Sequence, residues 1–342
     1  MTKLVCAFGS LTSYSFWAFD VLFHVMFESL GSCHRIHCHT VADLRTGWEG
    51  RGGRAVLTTS DRPDPALLAV LLAAEGPRLV FLDRFEDAVA ATIGEHGLPP
   101  RGGIEFVSRN FSALAPLLSA PETLVLGSEW LERKTVDFVR EIAVGIGLAD
   151  DALIARVADV QTAGNADERA FDSLKRQKPN AVRPGDGMAG QPADVRSLTG
   201  LVAEAYRPIE KRLRLGKLDW PRVLFHANGE QGPGARVIDL VGGARYLLWG
   251  PYLHLPLGQW SAWVEFEILG GNTGYFVESD VCQGARVLTA QSGTWPSVGV
   301  YRYRLDFSVD ALDEPIQIRV KLAKGAIEGR FSLRGVTVEQ MS

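Results

Sequence analysis

The sequence predicts an α/β domain with a doubly wound, mostly parallel sheet, followed by an all-β sandwich of jelly-roll type. Three observations predict it. Up to about residue 215, short apolar runs alternate with helical segments, as strands joined by helical crossovers do. Between Asn165 and Pro192 this pattern dissolves into a Gly/Pro-rich loop that includes "QKPNAVRPGDGMAGQP". After Gly216 the apolar period switches to two, the mark of half-buried antiparallel strands. The expected domains are residues 1–215 and 216–342.

The elements of the first half follow in order. "KLVCAFGS" (Lys3–Ser10) reads as a strand ending in small residues, and "YSFWAFDVLFHVMFESLG" as the helix after it. "RIHCHTV" (Arg35–Val41) and "RAVLTTS" (Arg54–Ser60) read as further strands. "PALLAVLLAAEG" begins at a proline and stops at Gly76, which suits both ends of a helix. "RLVFL" is the next strand, with its helix behind it, then "ETLVLGS" (Glu122–Ser128) and the helix of Glu132–Leu148. A last helix over Asp194–Leu215, interrupted by Pro208, closes this half.

In the second half, "QWSAWVEFEIL" puts Trp260, Ala262, Val264, Phe266 and Ile268 on one face and Trp263, Glu265 and Glu267 on the other. "IQIRVKLA" turns Ile316, Ile318, Val320 and Leu322 inward, and "VYRYRLDFSV" repeats the pattern. No helical period occurs after Gly216.

Composition narrows the function classes. A net charge of −4 argues against a general nucleic-acid binder, which carries a basic face. Four cysteines in 342 residues do not form a disulfide framework. Asp20 and His24 interrupt the apolar run Tyr14–Phe27 on one helical face, so it reads as a buried amphipathic helix rather than a signal peptide. They form either an acid-base pair or a satisfied polar seam. Nothing reaches the length of a membrane span. A soluble, cytoplasmic protein is expected.

Four stretches, in order over residues 1–212, resemble the PAPS-dependent sulfotransferases, which move a sulfuryl group from 3′-phosphoadenosine 5′-phosphosulfate (PAPS) to a hydroxyl. They are "FGSLTSYSFW", "VLTTSDRPDPALLAVL", "RLVFLDRFEDAVAATI" and "TLVLGSEWLERKTVDFVREIAVGIGL". The resemblance implies a P-loop-like sheet and a PAPS site, with Gly9, Ser10, Thr12, Ser13 and Ser15 meeting the 5′-phosphosulfate. Arg84, and Arg183 in "RPGDG", would supply positive charge to the donor. It also implies departures. Thr12 stands at the family's basic position, and Tyr14 where a glycine usually lets the backbone approach the ligand. Asp83 stands at its arginine, and Ser60 or Asp61 at the position where the family often has a catalytic histidine. Asp83 and Glu86 are spaced as a relative of the capping box, which places carboxylates where a phosphate would sit.

Two other clusters draw attention. "CHRIHCH" (Cys33–His39) gathers three of the seven histidines. His37 and His39 would share one face of a strand, a spacing that metal sites use, but no third or fourth ligand is evident and no metal is expected. Either histidine is a candidate general base. In the β-domain, Trp249, Tyr252, Trp263 and Trp295 are candidates for stacking on sugar rings, Trp263 first because it falls on the polar face of its strand. Tyr275 is a further aromatic of interest. "GARYLLWGPYLHLPLGQWSAWVEFEI" resembles jelly-roll modules appended to bacterial proteins that build or modify surface polysaccharides.

Two functions are therefore expected. One is a divergent sulfotransferase acting on a saccharide or polysaccharide, with His37 or His39 removing the acceptor proton. The other is a non-catalytic carbohydrate-binding protein on a degenerate sulfotransferase-like scaffold.

Overall fold

The computed structural model describes residues 3–49, 55–211, 216–227, 237–271, 274–295 and 298–341. Arg54 and residues 212–215, which the sequence reading put at the ends of elements, lie outside them. The chain forms two compact units, residues 1–193 with 210–212, and residues 194–209 with 213–342.

The first unit is built on a five-stranded parallel sheet of β1 (Lys3–Gly9), β2 (His34–His37), β3 (Ala55–Ser60), β4 (Arg78–Leu82) and β5 (Thr123–Gly127). Its strand order is β2-β3-β1-β4-β5. The helices are α1 (Ser13–Leu30), α2 (Val41–Trp48), α3 (Pro65–Ala73), α4 (Phe85–His96), α5 (Pro100–Leu118), α6 (Thr135–Gly145), α7 (Asp151–Thr162) and α8 (Ala170–Gln177). Strands that read as unbroken apolar runs are covered on both faces, as parallel sheets require. Val5, Ala7, Leu57, Leu79 and Phe81 join Trp17, Phe138 and Ile154 of α1, α6 and α7 in one buried cluster. The alternate residues Cys6, Phe8 and Val80 are also buried, which the pleat assigns to the opposite face.

Several local expectations change. The strand expected over Arg35–Val41 ends at His37, because Thr40 caps α2 in a full capping box with Asp43. The loop expected over Asn165–Pro192 contains α8, and α2, α5 and α7 were not anticipated. The Asp83–Glu86 capping box is absent. Arg84 occupies the N-cap of α4 with no side-chain cap, and the Phe85 N–H donates instead to Glu210 Oε1 at 2.7 Å. The helix expected to close the first half, α9 (Ala193–Glu210), falls almost wholly in the second unit, where buried Tyr206 donates its hydroxyl to the His254 carbonyl.

The second unit is an antiparallel sandwich. One sheet runs β13 (Gly299–Val309), β10 (Gly258–Leu269), β15 (Arg330–Gln340), β6 (Lys217–Trp220), with β8 (Ile238–Asp239) on the end of β15. The other runs β12 (Arg286–Trp295), β11 (Tyr275–Gln283), β14 (Ile316–Leu322), β9 (Arg245–Leu253), β7 (His226–Ala227). The period-two residues are the core: Trp260, Val264, Ile268, Ile318 and Leu322 are fully buried. Among the described residues after Gly216 there is no α-helix, only a 3-10 turn at Arg222–Leu224. No described helix is long and apolar enough to cross a membrane.

Candidate functional site

In an open parallel sheet, ligands bind at the carboxyl ends of the strands, where the winding direction reverses. Here the chain leaves β1 toward β2 and leaves β4 toward β5, so the crevice lies between the ends of β1 and β4. A cleft of about 540 Å³ opens there, lined by Thr12, Ser13, Asp83, Asp87, Glu95 and Arg183 among others. Of the residues that the sequence offers to a donor, Gly9 ends β1, Ser10 and Thr12 follow it, and Ser13 and Ser15 open α1.

Each hydroxyl of that loop is donated within the protein. Ser10 Oγ donates to Asn110 Oδ1 at 3.2 Å, Thr12 Oγ1 to Asp83 Oδ2 at 2.7 Å, and Ser15 Oγ to the Phe81 carbonyl at 3.2 Å. Ser13 Oγ donates to the Glu95 carboxylate at 3.0 Å. The Ser10 N–H, which would face a phosphate, donates to Ser15 Oγ at 2.9 Å. Gly9 serves the same internal arrangement, since a Cβ there would stand 2.5 Å from Ser15 Oγ. Tyr14 does not obstruct the loop. Its ring is buried against Phe81, and its hydroxyl donates to the Leu126 and Gly127 carbonyls at 3.0 and 3.1 Å.

The electrostatics of the crevice are acidic. Asp83 is 6% exposed, and burial pushes its carboxyl up to about 7, against the lowering effect of the Thr12 hydrogen bond. Burial also raises Asp87, whose carboxylate accepts the Gly185 N–H at 2.9 Å and so pins the 183–187 turn to α4. The two arginines are divided. Arg183 lines the cleft but lies 3.5 Å from Glu132 with its guanidinium over Phe171. Arg84 is half exposed, 4.0 Å from Glu86, and lines a separate hollow of about 420 Å³ with Glu129, Glu210 and Lys211.

His37 and His39 do not line the cleft. They stand at the end of β2, with ring centroids 4.8 Å apart and perpendicular. The parallel register pairs His37 with Thr59, so Asp61, two residues further on, comes opposite His39. His37 Nε2 and His39 Nδ1 lie 3.2 and 3.4 Å from the same oxygen, Asp61 Oδ1. Burial alone would raise the Asp61 carboxyl, but His37, His39 and Arg62 together hold it below its ordinary value. Burial holds His39 below its ordinary value against the pull of Asp61. Asn110 ties this corner to the crevice by donating to the Gly9 and Asp61 carbonyls.

Asp61 and Asn110 were not picked out as partners by the sequence, since only the sheet register and α5 bring them here. The two cysteines of the run take no part. Burial raises the Cys33 thiol to about 11 and Cys38 to about 12. Asp20 and His24 do not pair with each other: Asp20 binds Arg35 at 2.5 Å, and His24 Nδ1 lies 3.0 Å from Gln161 Nε2.

The four aromatic candidates of the sandwich fall at three separate places. Trp249 sits in a cross-strand row with Arg319 and His226, its ring stacked on the His226 imidazole at 5.9 Å. Arg319 holds Asp280 with two bonds of 2.8 Å, and Tyr252 meets the same imidazole edge-on. Trp263 lies on the outer face of the other sheet, with Arg302 and Arg304 stacked over its ring at 4.3 and 5.5 Å. Trp295 stacks on the inward-facing Phe266 at 4.1 Å and on Phe331 at 5.3 Å, which makes it part of the core's edge. Tyr275 is buried.

No family model matches the chain, and no curated protein matches it. Similar solved structures include the CBM36-1 domain of a multidomain xylanase from the hindgut metagenome of Trinervitermes trinervoides. It is 7% identical over 37% of this chain and 98% of that one, with a TM-score of 0.26. TmCBM61, in complex with β-1,4-galactotriose, is 14% identical over 33% of this chain and 75% of its own, with a TM-score of 0.24. A cyclase from Fischerella sp. TAU, in complex with 4-(1H-indol-3-yl)butan-2-one, is 15% identical over 37% and 75%, with a TM-score of 0.25. Likenesses at this level carry no functional argument.

Proposed function

We propose that this chain is a non-catalytic saccharide-binding protein, in which a sulfotransferase-like α/β unit has lost its donor site. The observation that carries this is the crevice at the ends of β1 and β4. Its hydroxyls and the Ser10 N–H are spent on internal partners, and the buried Asp83 carboxyl stands where a donor anion would need a cation. Saccharide binding is supported by the face bearing Trp249 and Tyr252, where aromatic rings adjoin the fixed Arg319–Asp280 pair. Flat rings stack on sugar faces, while fixed polar groups meet the hydroxyls.

Two measurements test it. The desulfonated donor product, 3′-phosphoadenosine 5′-phosphate, should leave the melting temperature unchanged at millimolar concentration. A glycan array should give hits that Trp249→Ala removes, and an array without hits overturns the saccharide assignment.

One observation favours a second reading, the divergent sulfotransferase. A carboxyl titrating at about 7 is partly uncharged near neutrality, which relieves the repulsion of an anionic donor. PAPS would then lie near Arg183 or Arg84, and the base would have to be a group other than His37 and His39, which stand outside the cleft. A ligand at 100 times its dissociation constant stabilises by about 2.7 kcal/mol, so a rise in melting temperature with the product would decide for this reading.

A further inference from the structure

The three side chains His37, His39 and Asp61 offer one donor atom each within 4.8 Å of one another. Both imidazole nitrogens approach a single carboxylate oxygen, at 3.2 and 3.4 Å. A tetrahedral zinc-type centre with ligands 2.0–2.1 Å from the metal separates its ligand atoms by about 3.3 Å. The two edges to Asp61 Oδ1 match that separation, and the His37–His39 edge, within 4.8 Å, would close by a small rotation of the partly exposed imidazoles.

The supporting contacts are those that a metal site needs. His37 Nδ1 lies 3.0 Å from Thr59 Oγ1, which fixes the ring and leaves Nε2 facing the cluster. Arg62 Nε approaches the other Asp61 oxygen, Oδ2, at 3.5 Å, so Oδ1 remains for the centre. The Asp61 side chain is only 2% exposed, and neither its Oδ1 nor His39 Nδ1 makes a well-directed hydrogen bond. Two buried polar atoms 3.4 Å apart, each without a hydrogen-bond partner, point to a ligand that both would hold. The side chains of His37 and His39 are about a third exposed, so a metal here would keep a coordination position toward solvent.

We propose that His37, His39 and Asp61 form a mononuclear site for a divalent first-row transition metal of the zinc class. Two imidazoles and one carboxylate suit such a cation better than magnesium or calcium, which prefer oxygen alone. The open position would take a water or a ligand oxygen. The site depends on neither reading of the crevice, because it shares no residue with the cleft.

The test uses the full chain, stripped with a chelator and titrated with zinc and with cobalt(II). One equivalent should bind. Cobalt should give the visible absorption of a low-coordinate centre, and zinc should shift the imidazole resonances of two of the seven histidines. His39→Ala and Asp61→Asn should each weaken binding about tenfold or more. Absence of stoichiometric binding by the wild-type chain overturns the assignment, as does binding that shifts other histidines. Affinity unchanged in the folded His37→Ala/His39→Ala variant overturns it too. The wild-type resonances decide the matter even where a variant fails to fold.

Discussion

Asp83→Asn should flatten the pH dependence of stability, and the size of the effect follows from the crevice. The carboxyl titrates at about 7 in the folded chain, against about 3.9 when unfolded. Between these values the folded state keeps a proton that the unfolded state releases. Stability therefore falls as pH rises through this window, by about 1.4 kcal/mol per unit, and levels off above pH 7. Integrated from about pH 5 to about pH 8, the loss is about 3 kcal/mol. Asparagine carries no titrating proton and keeps an oxygen to accept from Thr12 Oγ1. Relative to wild type, Asp83→Asn should thus gain about 3 kcal/mol between those two pH values. In a unit of this size that is roughly 6–12 °C in melting temperature. Scanning calorimetry of both proteins at the two pH values measures it. Stability curves that run parallel would refute the reasoning, because they would mean that Asp83 is already ionised at little cost.

Asn110→Ala should cost about 2–4 kcal/mol in urea unfolding, because it strips the Gly9 and Asp61 carbonyls and Ser10 Oγ of a buried partner. Asp64→Ala should cost about 1 kcal/mol in the same assay, since its side chain accepts the Leu67 N–H at the start of α3. Phe266→Ala should cost about 3–5 kcal/mol by emptying the ring cluster with Trp295, Tyr303 and Phe331, and tryptophan fluorescence should report the loss at Trp295.

The crevice and the His37 corner make different use of the same sheet edge. At the ends of β1 and β4 the polar groups are closed on one another, down to the Ser10 N–H. At the ends of β2 and β3 three polar groups converge, with their donor atoms within 4.8 Å of one another. Asn110 donates to a carbonyl on each side, so one buried amide positions both.

Periodicity alone determined most of the architecture. Alternation of apolar residues along β10 and β14 placed Trp260, Val264, Ile318 and Leu322 inside, since a pleated strand sends successive side chains to opposite faces. Unbroken apolar runs such as "RLVFL" marked strands covered on both sides. Helix α5 escaped because its two glycines and two prolines break the local signal, and burial of Phe111 and Leu114 outweighs that propensity. Site chemistry was legible only as residue types. His37 and His39 stood out by spacing, but Asp61 reaches them through a parallel register that no local pattern encodes. Asp83 drew attention as a helix cap, and the fold turned it instead to Thr12, 71 residues away in sequence. Alternation already put Trp263 on the polar face of its strand, but only strand pairing set it beneath two arginines and turned Trp295 against the core. Local pattern fixes which face a side chain takes. Which partner it finds there depends on strand order and register, and those are set by the packing of the whole unit.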